Sequence, residues 1–408
     1  MRLPDKGTPQ DAIIESMRER KKADADWRGA RTWSLVYPAG EEVDELLRAA
    51  NEVYLYENAL NPFRFPSIRA MEDDVVSMTV DLLHADSEAG GAMTSGGTES
   101  ILMGVKTARE RARAEKGIER GKILVPHSAH PAFAKAAMYL DLEHVQIPLD
   151  DDYRADVAAA RRLATDDTVL IAGSAPNYPF GVVDPIPDLA GLAAERGISF
   201  HTDACLGGFM LPFYERLGAP VPPFDFRVEG VTTISADVHK YGYCTKGASV
   251  ISHRNASTLH SHQLFMYDKW PGGLYGSFAM AGARPAAPIA AAWAVMHYLG
   301  VEGYTRLAQV VRGTTERLQA GIAAIPELQV WGEPSMSVFS FGSNEIDIGA
   351  VGDVMDDRGW HLDRQTGPDA LHLMVSPAHE KVAESFLDDL REAVATHGPS
   401  RGRKARYS

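Results

Sequence analysis

Apolar residues recur every three or four positions between residues 67 and 83, as they do along one face of an α-helix. This set comprises Ile68, Met71, Val75, Met78 and Leu82. Helices are also predicted over 11–24 and 41–54, and a Pro/Asn-rich segment at 58–66 follows the second of them. The first part of the chain is therefore expected to be helical.

Beyond residue 83 the pattern changes to short apolar runs that alternate with helical stretches. Strands are predicted at 122–125, 144–147, 169–173, 198–201, 232–235 and 249–251. Helices are predicted between them at 101–116, 131–139 and 187–196. Strands that alternate with helices are typical of βαβ units, so the sequence predicts an α/β fold with a mainly parallel sheet covered on both faces.

The last part of the chain has a different pattern. The Ala-rich run 289–299 predicts a long helix, and strands are predicted beyond it at 337–341 and 370–375. The chain is thus divided into an N-terminal helical extension (1–55), a large α/β domain (56–300), a smaller C-terminal α+β domain (301–398) and a basic tail (399–408). The tail is expected to be frayed.

Composition narrows the classes of function. The chain has 408 residues, of which 45% are hydrophobic and 24% charged, as in ordinary globular proteins. Its 41 Lys and Arg against 55 Asp and Glu give a net charge of −14, which disfavours nonspecific binding to nucleic acid. The two cysteines, Cys205 and Cys244, argue against a disulfide framework and favour a cytoplasmic location.

Neither a signal peptide nor a membrane span is predicted. Residues 1–10 lack an apolar core, and the most apolar stretch, 279–299, is interrupted by Arg284, Pro285 and Pro288. No metal is expected.

A glycine-rich segment, 94–100 (TSGGTES), precedes the helix predicted at 101–116. Its two glycines let the backbone approach an anion, and free N–H groups and hydroxyls supply donors. The segment therefore favours a phosphate site, although it has neither P-loop nor dinucleotide-binding spacing. The alternative is a plain helix cap by Ser95 or Thr98.

Two further segments place reactive side chains after predicted strands. Asp203 follows the strand at 198–201 and precedes two glycines, where a carboxylate can hold a pyridinium N–H charged. Lys240 follows His239 in the loop after the strand at 232–235, where partial desolvation makes an amine nucleophilic toward an aldehyde. Taken alone, a carboxylate in the place of Asp203 is more often structural, and a lysine in the place of Lys240 is usually a solvated surface charge. Their order after a phosphate loop favours a site for pyridoxal 5′-phosphate (PLP).

These segments resemble the sphingosine-1-phosphate lyase family, in the group II decarboxylase branch of fold-type I PLP-dependent enzymes. The matching stretches are 95–103 (SGGTESILM), 129–135 (AHPAFAK), 173–179 (GSAPNYP), 181–186 (GVVDPI), 201–209 (HTDACLGGF), 235–243 (SADVHKYGY), 275–277 (YGS) and 281–285 (AGARP). They run in order from about Tyr37 to Tyr304. The resemblance implies the aspartate aminotransferase-like fold and a homodimer with shared active sites.

The resemblance also implies roles for individual residues. Lys240 would form the Schiff base, Asp203 would face the pyridinium nitrogen, and His130 would stack on the ring. The other residues assigned to the cofactor are Gly97, Thr98, Asn177, Ser235, His239 and, from the second subunit, Ser277. His130 could otherwise be a loop histidine and Ser277 a turn residue.

The resemblance assigns Tyr37 and Lys246 to the phosphate of the substrate. Where the family has Asn-Pro-Leu-His-Pro, this chain has Asn61 in place of the histidine, and Arg64 three residues later could restore the charge. Cys244 and Thr245 stand where Ala-Pro is usual. Substrate identity is therefore less well defined than the cofactor.

The expected reaction is cleavage of the Cα–Cβ bond of a phosphorylated amino alcohol to an aldehyde and phosphoethanolamine. Tyr241, Tyr243 and Lys240 itself are candidates for proton transfer, and the sequence does not choose among them. An amino-acid decarboxylase of the same branch is the alternative, with Arg284 or Arg64 as the cation for a carboxylate. A catalytically silent scaffold is disfavoured because the glycine loop, Asp203 and Lys240 are all present.

Overall fold

The computed structural model describes residues 2–405. Three helices precede the sheet, and their bounds agree with the predicted ones: α1 (Gln10–Lys21), α2 (Glu41–Val53) and α3 (Pro66–Leu82). Helix α1 has no buried residue, whereas α2 buries Val43 and Leu47 and α3 buries Ile68 and Val75. The apolar spacing therefore marks the buried faces of α2 and α3.

A seven-stranded sheet forms the centre of the molecule. Its strands are β1 (Gly90–Thr94), β2 (Lys122–Pro126), β3 (Glu143–Ile147), β4 (Thr168–Ser174), β5 (Ser199–Asp203), β6 (Thr233–Ala236) and β7 (Ser249–His253), in the order β1-β7-β6-β5-β4-β2-β3. Neighbouring strands from β3 to β6 are parallel, and β7 is antiparallel to β6 and β1. The predicted mainly parallel α/β sheet is confirmed.

The connections explain this topology. Helices α4 (Gly97–Lys116), α5 (Ala132–Tyr139), α6 (Val157–Leu163), α7 (Ile186–Glu195) and α8 (Leu211–Arg216) lie between strands β1 and β6. Between β6 and β7 the chain returns through a loop at 237–248 without a crossover helix, and a connection of that kind suits an antiparallel pair. Lys240 lies in this loop.

Strand burial follows from the cover on both faces. All of β4 is buried, and its Leu170 and Ile171 are 0% exposed. Strands enclosed on both faces are continuous apolar runs rather than alternating ones, as the sequence shows here. Helix α4 begins four residues earlier than predicted, so Gly97 and Thr98 belong to its first turn.

After the sheet the chain forms an exposed hairpin and a long helix. A three-residue helix, α9 (Ala256–Thr258), precedes strands β8 (Phe265–Tyr267) and β9 (Tyr275–Ser277), which pair with each other. Helix α10 (Ala287–Ala323) then continues through the predicted domain boundary, with a bend at Gly300, whose φ is 52°. The division into domains stays a prediction.

The C-terminal part is a second, smaller α+β layer. Strands β10 (Gln329–Val330), β11 (Val338–Gly342), β12 (Asp363–Gln365) and β13 (Ala370–Met374) form an antiparallel sheet in the order β10-β11-β13-β12. Helices α11 (Ile348–Asp357) and α12 (Ala383–Thr396) accompany it. One apolar core runs through both sheets, from Trp33 to Ala393.

Segments near the two ends of the chain contact the C-terminal layer. Trp33 is fully buried and stacks on His379 with ring centroids 4.1 Å apart, so the chain near residue 33 packs into that layer. In the tail, the Arg401 amide donates to Asp353 at 2.6 Å, and Arg403 pairs with Asp356 at 2.6 Å. The predicted fraying of the tail is therefore not seen at Arg401 and Arg403, while 406–408 lie outside the described residues.

Within residues 2–405 there is no helix long and apolar enough to cross a membrane.

Candidate active site

A cavity of about 300 Å³ opens where strands β4, β5 and β6 end and helix α4 begins. Parallel sheets place ligands at this carboxyl edge. Six of the residues predicted for the cofactor site line the cavity together: Gly97, Thr98, His130, Asp203, His239 and Lys240. Four chain segments that are far apart in sequence therefore meet at one place.

The glycine segment forms the rim of this cavity at the start of α4. Gly96 has φ +157° and no side chain caps the helix, so the cap alternative is wrong. Ser95 instead donates its amide and hydroxyl to Glu99, at 2.7 and 2.6 Å. A Cβ on Gly97 would lie 2.7 Å from both Asp237 Oδ2 and Cys205 Sγ, so this position requires glycine. Uncapped amides at a helix start suit a phosphate.

Asp203 lies at the end of β5 with 7% of its surface exposed. Its Oδ1 accepts hydrogen bonds from the Ser235 hydroxyl and the Cys205 amide, both at 3.1 Å. Ser235 Oγ in turn lies 3.1 Å from Nε2 of the buried His201. Because the one hydroxyl proton of Ser235 goes to the carboxylate, His201 must donate from Nε2.

This chain of hydrogen bonds shows where the structure places Ser235, one of the residues assigned to the cofactor. The serine is fully buried and does not line the cavity, and its hydroxyl donates to the Asp203 carboxylate, so any effect on the cofactor would pass through Asp203. Burial lowers the pKa of His201 to about 4, and the ring is neutral at ordinary pH. Nδ1 of His201 lies 2.9 Å from the Thr233 hydroxyl, which completes the chain.

His130 lies just before α5 and faces the same cavity. Its Nδ1 accepts the Ala132 amide at 3.1 Å, which fixes the ring. Burial lowers the pKa of His130, while the negative charge of Asp203 opposes the shift. A neutral, oriented imidazole can pack flat against an aromatic ring.

Lys240 Nζ lies 3.1 Å from Oδ2 of Asp237, a carboxylate that the sequence interpretation gave no role. Burial alone would raise the pKa of Asp237, but the charges of Lys240 and His239 bring it below its usual value. His239 Nδ1 accepts the Ala248 amide at 3.2 Å, and burial lowers the pKa of His239 to about 4. The only signal in the sequence for this contact is that Asp237 stands three residues before Lys240.

Tyr241 and Tyr243 lie outside the cavity, contrary to the prediction that they transfer protons. Tyr241 is fully buried and donates to the Val375 carbonyl at 3.0 Å. Tyr243 has φ +59° and stacks on Tyr304 in the core. The turn after Lys240 directs both phenols inward, and burial raises the pKa of each.

Asn177 also has a different place from the predicted one. Its side-chain Nδ2 donates to the Tyr153 carbonyl at 3.2 Å, and its Oδ1 accepts a hydrogen bond from the backbone N–H of Phe180 at 3.0 Å. Asn177 therefore holds a turn next to the site. Its neighbour Tyr178 lines the cavity instead and donates to Asp363 at 2.7 Å. No spacing in the sequence distinguishes these two adjacent residues.

Tyr37 and Lys246 meet at one side of His239. Lys246 Nζ lies 4.7 Å from the centre of the Tyr37 ring and donates to the His239 carbonyl at 3.0 Å. Lys246 is an exposed residue, but burial of its ammonium, reinforced by the positive charge of Lys240, lowers its pKa to about 8. The predicted pair is therefore brought together.

Asn61 and Arg64, the other two residues predicted to bind the substrate, lie in the turn before α3. Asn61 Oδ1 accepts the amides of Phe63 and Arg64, each at 3.1 Å, and caps the turn that leads into α3. Both residues are exposed. Arg284, the other candidate cation, is held by Glu72 at 2.7 and 2.9 Å and is not available for a carboxylate.

Comparison with known proteins gives the family. The pyridoxal-dependent decarboxylase conserved domain matches residues 29–343. The sphingosine-1-phosphate lyase of Arabidopsis thaliana is 43% identical over 402 residues, which cover 97% of this chain and 73% of that protein. This chain belongs to the sphingosine-1-phosphate lyase family. The predicted resemblance is confirmed.

Other members of the sphingosine-1-phosphate lyase family agree in sequence and structure. Sphingosine-1-phosphate lyase 1 of Rattus norvegicus is 39% identical over 395 residues, 96% of this chain and 69% of that protein. The solved Burkholderia pseudomallei sphingosine-1-phosphate lyase superposes with a TM-score of 0.94 at 42% identity, covering 97% of this chain and 92% of that one. A Lactobacillus brevis glutamate decarboxylase, with a TM-score of 0.83 and 20% identity, shares the fold.

Like its family, the enzyme depends on PLP. The cavity fits this cofactor on its own geometry. Uncapped amides with a glycine that tolerates no Cβ, a fixed carboxylate and a lysine all line the same cavity. These are the groups needed for a phosphate, a pyridine nitrogen and an aldehyde. Among residues 2–405 no cluster of His, Cys, Asp or Glu could hold a metal ion.

Ser277 lies at the end of β9, outside the cavity of its own chain. Its hydroxyl donates to the Ala279 carbonyl at 3.0 Å. The same segment is tied to the glycine rim, because Glu99 accepts the Met280 amide at 2.7 Å. A role of Ser277 in a second subunit stays a prediction.

Proposed function

We propose that this protein is a PLP-dependent carbon–carbon lyase that cleaves a phosphorylated amino alcohol of the sphingosine-1-phosphate type to a fatty aldehyde and phosphoethanolamine. The observation that supports it best is the convergence of Lys240, Asp203, His130 and the glycine rim on one cavity. Relatives named as sphingosine-1-phosphate lyases, at 39–43% identity over nearly the whole chain, agree with it.

Each residue has a definite task in holding the cofactor. The amides of Gly97 and Thr98, together with His239, would hold its phosphate, and Lys240 would be its point of attachment. Asp203, oriented by Ser235, would keep the pyridine nitrogen protonated. When bound, PLP supplies the electron sink that makes cleavage of the Cα–Cβ bond feasible.

Proton transfer during cleavage belongs to a group inside the cavity. Of the three candidates considered, Lys240 lines the cavity and Tyr241 and Tyr243 do not. The substrate hydroxyl must lose its proton as the bond breaks, and the retained carbon must later gain one. We assign the lysine amine, in place beside Asp237, to one of these transfers.

The phosphate of the substrate is bound by Tyr37 and Lys246. Their side chains lie together beside His239, and an ammonium with a phenol offers charge-assisted donors to a dianion. Asn61 and Arg64 are exposed residues of the turn before α3, where Asn61 Oδ1 accepts the amides of Phe63 and Arg64, and we do not assign them to this site of the same chain.

The working enzyme is a homodimer. Large apolar side chains are exposed on the segment before α3 and on the β8–β9 hairpin, and patches of this kind mark interfaces. They include Leu55 (63% exposed), Tyr56 (92%), Phe63 (93%), Trp270 (57%) and Leu274 (68%). Light scattering of the purified protein should give twice the mass of one chain, and a fully active monomer would contradict this assembly.

The test of the reaction is direct. Purified protein with added PLP is mixed with sphingosine-1-phosphate, and long-chain aldehyde and phosphoethanolamine are measured; the Lys240→Ala variant is the control. Both products should form in equal amounts with the unmodified protein, and neither should form with Lys240→Ala. Carbon dioxide from amino acids, with no aldehyde from the phosphorylated lipid, would instead support the decarboxylase.

A further inference from the structure

Asp237 is a buried carboxylate beneath the glycine rim of the cavity. It is 1% exposed, and its Oδ2 lies 3.1 Å from Lys240 Nζ and 3.6 Å from His239 Nε2. Its other oxygen, Oδ1, has no hydrogen-bond partner among the described residues. The proposed function does not explain why a carboxylate occupies this place.

The position is built closely around this side chain. Gly97 leaves the space that Asp237 fills, since a Cβ there would lie 2.7 Å from Oδ2. A buried carboxylate with one unpaired oxygen is costly unless a nearby positive charge compensates for it. Lys240 supplies that charge, and the other titratable groups around the pair are His130, Asp203, Cys205, His239 and Lys246.

We propose that Asp237 is the resting partner of the Lys240 ammonium: it holds the lysine whenever the lysine is not attached to the cofactor. The inference rests on the proposed attachment of PLP to Lys240. Asp237 is a positioning residue, because it acts on the lysine and not on the substrate.

The chemistry of attachment determines which steps this contact favours and which it opposes. On capture, the lysine ammonium loses a proton, its nitrogen forms a C=N bond with the aldehyde carbon, and one water leaves. On transfer, the nitrogen of a substrate ammonium forms the new C=N bond and gives up its three protons, the bond between Lys240 and the aldehyde carbon breaks, and the lysine nitrogen takes up three protons and ends as an ammonium. A carboxylate at 3.1 Å stabilises the ammonium, so it opposes capture and favours transfer.

The Asp237→Asn variant separates this role from a structural one. Asparagine keeps the shape beside Gly97 and removes the charge. Capture of PLP by the cofactor-free variant should therefore be faster at neutral pH, and release of the cofactor to an added amine should be slower. A residue that only supports the fold would slow both steps when altered.

The experiment follows capture by absorbance in cofactor-free protein as a function of pH, and then release from loaded protein by phosphoethanolamine. In Asp237→Asn the pH of half-maximal capture should fall by about one unit, equivalent to about a tenfold faster capture at neutral pH. Release should slow by a similar factor. Asp225→Asn, which alters a buried carboxylate paired with Arg227 away from the cavity, is the matched control and should change neither rate.

Two outcomes would overturn the proposal: an unchanged pH of half-maximal capture, or capture and release that are both slower. Asp237→Ser serves the same comparison if the asparagine variant does not fold, as judged by thermal melting. Failure of the proposed function looks different, because then the unmodified protein would carry no pyridoxyl group on Lys240 after borohydride reduction.

Discussion

Two lysines lie near the cavity, and their surroundings give them different tasks. Lys240 lines the cavity beside Asp237, whereas Lys246 lies against Tyr37 and donates to the His239 carbonyl. We expect borohydride reduction of the loaded enzyme, followed by peptide mapping, to place the pyridoxyl group on Lys240. Lys240→Ala should lose the visible absorbance of the attached cofactor. A label on Lys246 or Lys135 in the unmodified protein would contradict the assignment.

Lys246 gives the site a pH dependence. Its pKa is lowered to about 8 by burial and by Lys240, so the ammonium needed for a phosphate is present below that pH and lost above it. We expect kcat/KM for the phosphorylated substrate to fall as the pH rises through about 8. Lys246→Ala should raise KM by roughly tenfold to a hundredfold, the effect of one charge-assisted hydrogen bond.

The matched control for this prediction is Lys246→Arg, which stays charged across the range. Its kcat/KM should lack the fall near pH 8, whatever its absolute value. If Lys246→Ala leaves KM unchanged, or if unphosphorylated amines react faster than phosphorylated ones, the lysine does not bind the phosphate.

Adjacent residues mark the limit of prediction at this scale. The motif around Lys240 predicted a lysine that does line the cavity, but it could not show that Tyr241 and Tyr243 face the core. The direction of a side chain in a loop depends on turns such as the one at Tyr243. Asn177 was predicted and its neighbour Tyr178 lines the cavity, for the same reason. The type and order of residues along the chain indicate the chemistry of the site, whereas the direction in which each side chain points is known only from the fold.

Among the elements, the apolar pattern predicted both ends of strands β2 to β7 to within two residues. It failed at β1, whose sequence GGAMT has no β-branched residue before its last position. That strand exists because β7 pairs with it, from Gly90 opposite His253 to Thr94 opposite Ser249. Tertiary pairing, and not local preference, makes it a strand.

Strands β5 and β6 carry a prediction of their own. Their side-by-side pairing brings His201, Ser235 and Asp203 into one hydrogen-bonded chain behind the cavity. Ser235→Ala should leave Asp203 less well oriented and weaken PLP binding by roughly tenfold, since a hydrogen bond to a charged group is worth about 1.5–3 kcal/mol. Fluorescence titration of the cofactor-free protein measures this directly.

Asp203→Asn is the reference for that experiment. It removes the charge itself, so turnover should fall by orders of magnitude while PLP still binds. Ser235→Ala should change affinity more than turnover. Equal affinities in Ser235→Ala and the unmodified protein would mean that the serine only fills space in the core.

At the scale of the whole molecule, segments near the two ends of the chain contact the C-terminal layer. Trp33 stacks on His379, and Arg401 and Arg403 bind acidic residues of α11. Sequence predicted neither contact, because each joins segments more than forty residues apart and leaves no local pattern. The cytoplasmic location stays a prediction; both cysteines are buried thiols not joined to each other.

Assembly gives the last prediction. Ser277 lies outside the cavity of its own chain, on a hairpin with exposed apolar side chains, and the proposed dimer would bring it to the cavity of the second subunit. Lys240→Ala and Ser277→Asp should each be inactive, the first because it lacks the attachment point and the second because a carboxylate repels the cofactor phosphate. In a mixed dimer both defects fall in one site and the other site is intact. Co-refolding the two variants should therefore restore activity, with Lys240→Ala refolded with Lys240→Met as the inactive control. Absence of recovery, with mixed dimers verified by mass, would place Ser277 outside the partner's active site.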